Sequence, residues 1–403
     1  MTAIGQSAIT IVVFLVVLGT LVLVHEVGHF VAARLSRVNV LEFGIGFPPR
    51  ARILGRGKPT RYQLAQPPRP APALPVGVEP GSPEAEAFLV DAAARVAPAG
   101  TLYTLNWLPI GGFVKLEGED GDANDDPSSF GRARLATKLL ILVAGVVMNL
   151  VLSFAIFAGI ALYGEPGLGL KVGEVVPASP AEAAGIVAGD VLVSVNGVRY
   201  SAFGGATAVD DLHANAGKPV TIGIVHPDGS AADLAVTLRV PTDPQQGALG
   251  VGKLTGVQEG TLHYSPGEAV ALGVQRTREA FGMILSGLGD LGRSIVTDPT
   301  SAPEASGPVG IAVQIGDVLW SLGPLYVLYL AGLLSANLAL VNILPFPPLD
   351  GGRMLVIALK AVPRYGPRIS IRAERLTYAI GFVALFTFLI WITVFDVARQ
   401  LGG

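Results

Sequence analysis

The sequence predicts a polytopic α-helical membrane protein, with about four transmembrane helices, a β-rich cytoplasmic region and one small soluble α+β domain. Three observations predict this. The 403 residues are 51% hydrophobic and 15% charged, with mean hydropathy +0.55, whereas a soluble chain is nearer a quarter charged. Four apolar segments, about Ser7–Leu35, Ala136–Tyr163, Leu319–Leu344 and Leu376–Val397, can each cross roughly 30 Å of hydrocarbon at about 1.5 Å per residue. Charge is sorted along the chain: Arg34 to Lys138 holds 13 Lys/Arg and Gly351 to Arg375 holds six, while Gly164 to Val270 holds five against 11 Asp/Glu. The positive-inside rule puts the first two stretches in the cytoplasm and the acidic one outside, with both termini on the outer side.

The first span, 1–35, is an apolar run from Ala8 to Val24 followed at once by HEVGHFVAARL. It has no basic stretch ahead of it and no small-residue cleavage site, so it is expected to be retained rather than removed as a signal peptide. On a helix His25 and His29 share a face and can aim two imidazoles at one point, with Glu26 in reach of a water bound there. HExxH on a soluble helix is a common zinc protease signature. Within a membrane span it is much rarer, and ionisable groups there are costly and functional by default.

Residues 36–135 form a cytoplasmic β region. Thr60–Leu64 and Thr101–Leu105 read as short strands, separated by a Pro/Ala-rich insertion at 66–100 with one short helix at Pro83–Arg95 and otherwise the composition of a tether. The run LNWLPIGGFVKLEGED reads either as a surface hairpin or as a loop that dips into the bilayer against other protein, the only setting in which non-helical backbone is tolerated there. An acidic loop, GDANDDPSS, leads to the second span at 136–163. Residues 164–245 then read as a soluble domain: a strand in LGLKVGEVV, a Ser-Pro helix start and Gly stop in SPAEAAG, an Asn-Gly hairpin turn after VLVSV, a short helix at Val209–Asn215, and two strands around Pro227-Asp228-Gly229. This order resembles a bacterial PDZ domain in one copy. Such domains take an extended chain end by strand addition, with Gly167–Val172 the expected lip; the alternative is a closed groove and a spacer role. Residues 246–318 form an outer-side linker with an amphipathic helix over Ser265–Leu291, resting on the membrane surface or packed on protein. The third span at 319–350, a cytoplasmic loop at 351–375 and a fourth span with the C-terminus at 376–403 complete the chain.

A zinc site needs a third protein ligand, with the fourth position left to water. The chain has no cysteine, so that ligand is a histidine or a carboxylate. His213, His226 and His263 lie in the outer stretch, on the wrong side of the membrane from His25. The run NILPFPPLDGG ends the third span. Its three prolines stop a helix, and Asp350 follows at that break. The plainer alternative is an aspartate that caps the next helix. Asp350, however, falls at the cytoplasmic end of span three, as His25 and His29 do of span one, and a carboxylate in apolar surroundings needs a strong partner.

HEVGHF, the LPIGGFVKLEG loop, the single PDZ-like domain and NILPFPPLDGG, in that order, resemble the site-2 proteases, specifically their bacterial RseP-like branch. The resemblance runs nearly end to end. It implies an intramembrane zinc endopeptidase with one Zn2+ per chain, in which His25, His29 and Asp350 bind the metal and Glu26 is the general base. It also implies a membrane re-entrant β-loop at Gly111-Gly112, and a substrate-binding set of Gly111, Gly112, Asn149, Asn337 and Asn342. The implied setting is a bacterial inner membrane, multi-pass, with the PDZ domain extracytoplasmic and the active site near the cytoplasmic side. Substrates would be transmembrane proteins, either anti-sigma factors already trimmed on the outer side or signal-peptide remnants, with membrane lipid around them. A net charge of -3 suggests no nucleic-acid partner. The sequence departs from the family pattern in carrying Val146 where a proline often precedes Asn149, in one PDZ copy where well-known relatives have two, and in the 66–100 insertion. Two competing readings are an inactive PDZ-bearing scaffold, against which the intact Glu26 argues, and a transporter with midplane ionisable groups, against which the absence of an inverted repeat argues.

Overall fold

A computed structural model describes residues 3–58, 100–119, 127–205, 207–241, 247–297, 306–366 and 369–401. The expected strand Thr60–Leu64, the insertion up to residue 99 with its helix, and most of the acidic loop lie outside the described residues. In chain order the elements are α1 (Ala3–Leu35), β1 (Val40–Arg56), β2 (Leu102–Leu116), α2 (Leu135–Tyr163), β3 (Glu165–Lys171), β4 (Glu174–Val175), α3 (Pro180–Ala183), β5 (Val191–Val195), β6 (Val198–Ser201), α4 (Ala208–Ala214), β7 (Pro219–Val225), β8 (Ala231–Thr237), β9 (Val251–Gly252), β10 (Thr255–Leu262), α5 (Pro266–Thr297), α6 (Pro308–Ser321), α7 (Pro324–Ile343), α8 (Asp350–Ala361) and α9 (Ile371–Leu401). They fall into two compact units, Met1–Ile156 with Gln275–Gly403, and Phe157–Val274.

In the first unit, α1, α2, α7 and α9 are long and apolar enough to cross a membrane. Ile11, Val12 and Val16 on α1, Leu140, Val147 and Val151 on α2, and Phe382, Phe386 and Ile390 on α9 are exposed, as side chains facing lipid should be. The third span starts at Pro324, not at 319. Gly323 takes φ 99° and Pro324 follows at the first helical position, so α6 and α7 are separate helices: only glycine adopts that turn freely, and proline cannot continue a preceding helix. The α6 N-terminus has no cap of its own; the buried Asp396 of α9 accepts from the Gly310 N–H at 2.8 Å instead. α2 runs unbroken through Val146, so the missing proline leaves a continuous helix.

β1 was not legible in the sequence, and β2 is three times the length expected for Thr101–Leu105, at 15 residues. Gly44, Gly46, Pro48, Pro49 and Gly55 break any alternation in β1. The strands pair antiparallel, Val40 opposite Leu116 and Arg56 opposite Leu102, and Glu42–Ile45 also face Leu102–Leu105. The ribbon thus doubles back, with Glu42–Ile45 paired on both edges. The enclosed Glu42 is satisfied by Arg50, whose Nε donates at 3.0 Å, and by the Thr104 hydroxyl at 2.8 Å. A buried charge is tolerated only when partnered in this way.

The second unit holds a six-stranded sheet of order β10-β3-β6-β5-β7-β8 and a small β4-β9 pair. Its core is Val172, Ile186, Leu192, Leu212, Ile222, Ile224, Leu238 and their neighbours. Ser179 caps α3 and Thr207 forms a capping box with Asp210 on α4. Asn196-Gly197 makes the hairpin turn between β5 and β6. The sheet continues past residue 245, because β10 lies antiparallel along β3, Val257 opposite Gly169. β3 also pairs with β5 and β6 on its other side. The stretch Gly167–Val172 is therefore no open lip; chain from the same unit occupies it.

Candidate metal centre

α1 presents its histidines on the face turned toward α2. The crossing is close because glycines line it. A Cβ on Gly28 would meet Met148 Cγ at 2.8 Å and the Ala144 carbonyl; one on Gly145 would meet His29 Nε2 at 2.5 Å and His25 Cε1 at 2.8 Å. Asp350 arrives from α7, whose C-terminal end is followed by a tight loop, Phe346 N–H to the Leu344 carbonyl at 2.7 Å and Leu349 N–H to the Phe346 carbonyl at 2.9 Å. Asp350 is the first residue of α8 but turns its side chain to the histidines instead of capping that helix. Any side chain at Gly351 would collide with the Ile343 and Leu344 carbonyls, and one at Gly352 with Phe346 and Pro347. The glycine pair thus lets α8 fold back against the end of α7 and brings Asp350 to α1. From α9, Gly381 packs against the Pro347 carbonyl with no room for a Cβ, holding the loop from behind.

The three side chains converge. His25 Nε2 lies 2.9 Å and His29 Nε2 3.2 Å from Asp350 Oδ2, and the two Nε2 atoms are 3.1 Å apart. Among the described residues they are the one group of three or more His, Asp or Glu placed to hold a metal ion. Zinc with N and O donors at about 2.0–2.1 Å in a tetrahedron needs donor–donor edges of about 3.3 Å, so the trio fits after opening by a few tenths of an ångström. His29 Nδ1 donates to the Ile141 carbonyl at 2.8 Å. A carbonyl can only accept, so neutral His29 carries its proton on Nδ1 and leaves Nε2 bare for a metal.

Glu26 is partly exposed beside this trio and, among the described residues, has no hydrogen-bond partner. β2 passes close by. Gly111 and Gly112 are buried; a Cβ on Gly111 would overlap Val22, and one on Gly112 would touch Leu23 at 3.4 Å and Glu26 Cγ at 3.9 Å. Asn337 and Asn342 are partly exposed along the last two turns of α7. Asn149 is fully buried, with its amide nitrogen 3.3 Å from His25 Nδ1. Its backbone carbonyl accepts from the Ser335 hydroxyl at 2.8 Å, which ties α2 to α7.

Sequence reasoning missed Ile141, Gly145, Gly381 and the pair Arg353–Glu119. Arg353, one turn after Asp350, reaches Glu119 at 2.5 Å, and Glu119 accepts from the Leu116 N–H at 3.1 Å, so the start of α8 is tied to the end of β2. Burial works against the Arg353 charge, but the Glu119 carboxylate outweighs it and raises its pKa. The spacing 141, 145, 149, one helix face, was the signal available for the α2 residues.

Two histidines on the membrane-length α1 meet an aspartate at the start of α8, a group that could hold a metal ion in a membrane protein. The model of the family described as Peptidase family M50 matches residues 13–69 and 90–388, and the chain belongs to that family, the site-2 proteases. It is a zinc metalloprotease with Zn2+ as cofactor, and a multi-pass membrane protein. Among its relatives, the zinc metalloprotease RasP of Geobacillus kaustophilus is 28% identical over 437 residues, covering 97% of this chain and 98% of its own. RasP of Shouchella clausii is 27% identical over 434 residues, covering 97% and 99%. A protein of Clostridium acetobutylicum, provisionally named as a zinc metalloprotease, is 26% identical over 399 residues, covering 98% of this chain and all of its own.

Proposed function

We propose that the protein cleaves transmembrane segments of membrane proteins, with zinc held by His25, His29 and Asp350 and Glu26 as general base. The observation that carries this is the meeting of His25 Nε2, His29 Nε2 and Asp350 Oδ2 from chain positions more than 300 apart. Zinc, when bound, supplies Lewis acidity at the scissile carbonyl and a more acidic water. Glu26, partly exposed and beside the trio, takes the proton of the attacking water and hands it to the leaving nitrogen. The substrate helix must first unwind, since its peptide bonds are hydrogen-bonded internally. β2 at Gly111-Gly112, near Glu26, offers backbone for the extended strand to pair with, as a membrane re-entrant element, and Asn337 and Asn342 can hold the same strand by their amides.

The unit Phe157–Val274 contains the stretch that resembles a PDZ domain in sequence, and its acidic balance favours an extracytoplasmic position, with the zinc site near the cytoplasmic face of a bacterial inner membrane. With β3 enclosed by β10, strand addition along Gly167–Val172 has no edge to use, which favours a steric filter that rejects bulky ectodomains. Pre-trimmed anti-sigma factors or signal-peptide remnants suit such a filter. The test is Glu26→Gln with a tagged single-span substrate: cleavage should be lost while zinc is retained. An unchanged cleavage pattern would sink the assignment of the base.

A further inference from the structure

We infer that α2 sets the tautomer of both histidines, and that Asn149 is the positioning residue for His25; this rests on the zinc reading of His25, His29 and Asp350. A neutral imidazole that gives Nε2 to a metal must keep its proton on Nδ1, and that N–H needs an acceptor. In a buried site between membrane helices an unmet donor is costly. For His29 the acceptor is the Ile141 carbonyl, at 2.8 Å. For His25 the one neighbour at Nδ1 among the described residues is the Asn149 amide, at 3.3 Å. Ile141, Gly145 and Asn149 are spaced by four and form one stripe of α2. Gly145 in the middle has no side chain and lets both imidazoles reach the helix: a Cβ there would fall 2.5 Å from His29 Nε2 and 2.8 Å from His25 Cε1.

The Asn149 amide has two ends. With its nitrogen toward His25, Nδ1 accepts and the Asn149 oxygen has no hydrogen-bond partner among the described residues, although the residue is fully buried. A half-turn about the last side-chain bond exchanges the two ends at almost no steric cost. The oxygen then accepts from His25 Nδ1–H and bares His25 Nε2 for the metal, while the amide nitrogen takes the place the oxygen held. Asn149 is therefore oriented toward the zinc ligand and not toward substrate. The Ser335 hydroxyl on its backbone carbonyl fixes this turn of α2 to the helix that leads to Asp350.

The test is zinc affinity, by chelator competition on the purified full chain in detergent, for wild type, Asn149→Leu, Asn149→Asp and His29→Ala. Leucine keeps the volume without an acceptor and should weaken zinc about 10- to 100-fold. Aspartate keeps the shape of Asn149, offers only oxygens to His25 and should stay within a few-fold of wild type; a purely packing role would instead leave the leucine and aspartate variants alike. Zinc bound by the leucine variant as by wild type, or lost as badly by the aspartate variant, overturns the inference. Asn149→Ala carries the same expectation as leucine and replaces it where leucine fails to fold. His29→Ala separates the levels. If it keeps wild-type affinity, the metal centre itself is misassigned and the inference falls with it; if it loses zinc while the leucine variant does not, the centre stands and only the role of Asn149 falls.

Discussion

Gly145→Ala tests whether the closeness of α2 to α1 is a condition of metal binding. The added Cβ would lie 2.5 Å from His29 Nε2, 2.6 Å from His29 Cε1 and 2.8 Å from His25 Cε1. Non-bonded heavy atoms settle at about 3.5–4.0 Å, so the rings and the helix must part by roughly 1 Å. His29 cannot swing aside without losing its bond to the Ile141 carbonyl, and the helices are already closed at Gly28 beside it, which packs on Ala144. Overpacking an interior by a methyl costs about 1–3 kcal/mol. If that strain falls on the arrangement that binds the ion, the zinc dissociation constant rises about 5- to 150-fold, at 1.4 kcal/mol per tenfold. The assay is chelator competition in detergent. The control is Gly159→Ala on the same helix, where a Cβ meets nothing within 4 Å, and it should bind zinc as wild type does. A Gly145→Ala protein with affinity within twofold of the control would refute the reasoning.

Two further outcomes follow from contacts outside the spans. Arg353→Ala strips Glu119 of its cation and should cost about 1.5–3 kcal/mol, the range for hydrogen bonds to charged groups, read as a lower thermal midpoint; the double exchange Arg353→Glu with Glu119→Arg should restore part of it, and no recovery would show the pair contributes nothing. On α4, hydrogen bonds from the Thr207 hydroxyl and N–H hold the exposed Asp210 carboxyl below its ordinary pKa. A depressed folded pKa contributes stability above the unfolded value of about 3.9 and loses it as pH falls through the folded one. Urea unfolding followed below about pH 4 should therefore show an acid loss that is smaller in Asp210→Asn, and superimposable acid profiles would contradict this.

What could be read from the sequence was whatever lay in side-chain chemistry and in long apolar runs. HEVGH and the Asp350 that follows NILPFPPL announced themselves because few other roles suit such residues at membrane depth, and the four spans because composition alone selects them. The start of the third span was misplaced by five residues because hydropathy is blind to Gly323-Pro324, whose apolar neighbours continue on both sides. β1 was missed since its glycines and prolines erase the period-two pattern while the pairing itself is made by backbone. β10 closed the lip expected at Gly167–Val172 for a related reason: a strand such as TGVQEGTL carries little hydrophobic signal, and only register places it. Asn149 is expected near substrate by resemblance alone, and its approach to His25 could not be known until the α1–α2 crossing was.

The α2 stripe explains why HExxH alone is an incomplete instruction inside a membrane. On a water-exposed helix, two histidines four apart can leave their Nδ1 protons to solvent. Between apolar helices, each Nδ1–H without an acceptor would cost enough to favour the other tautomer, which turns a protonated Nε2 toward the metal and blocks it. The helix beside HEVGH must then provide an acceptor for each histidine, which a second helix can do from positions eight apart, one by backbone and one by side chain, when it crosses closely and has no side chain between. Ile141 and Asn149 are eight apart, and Gly145 stands between them. The first acceptor is backbone, which any residue supplies, so only the glycine and the amide leave a mark in the sequence, and the amide is the one of the two acceptors that a substitution can remove.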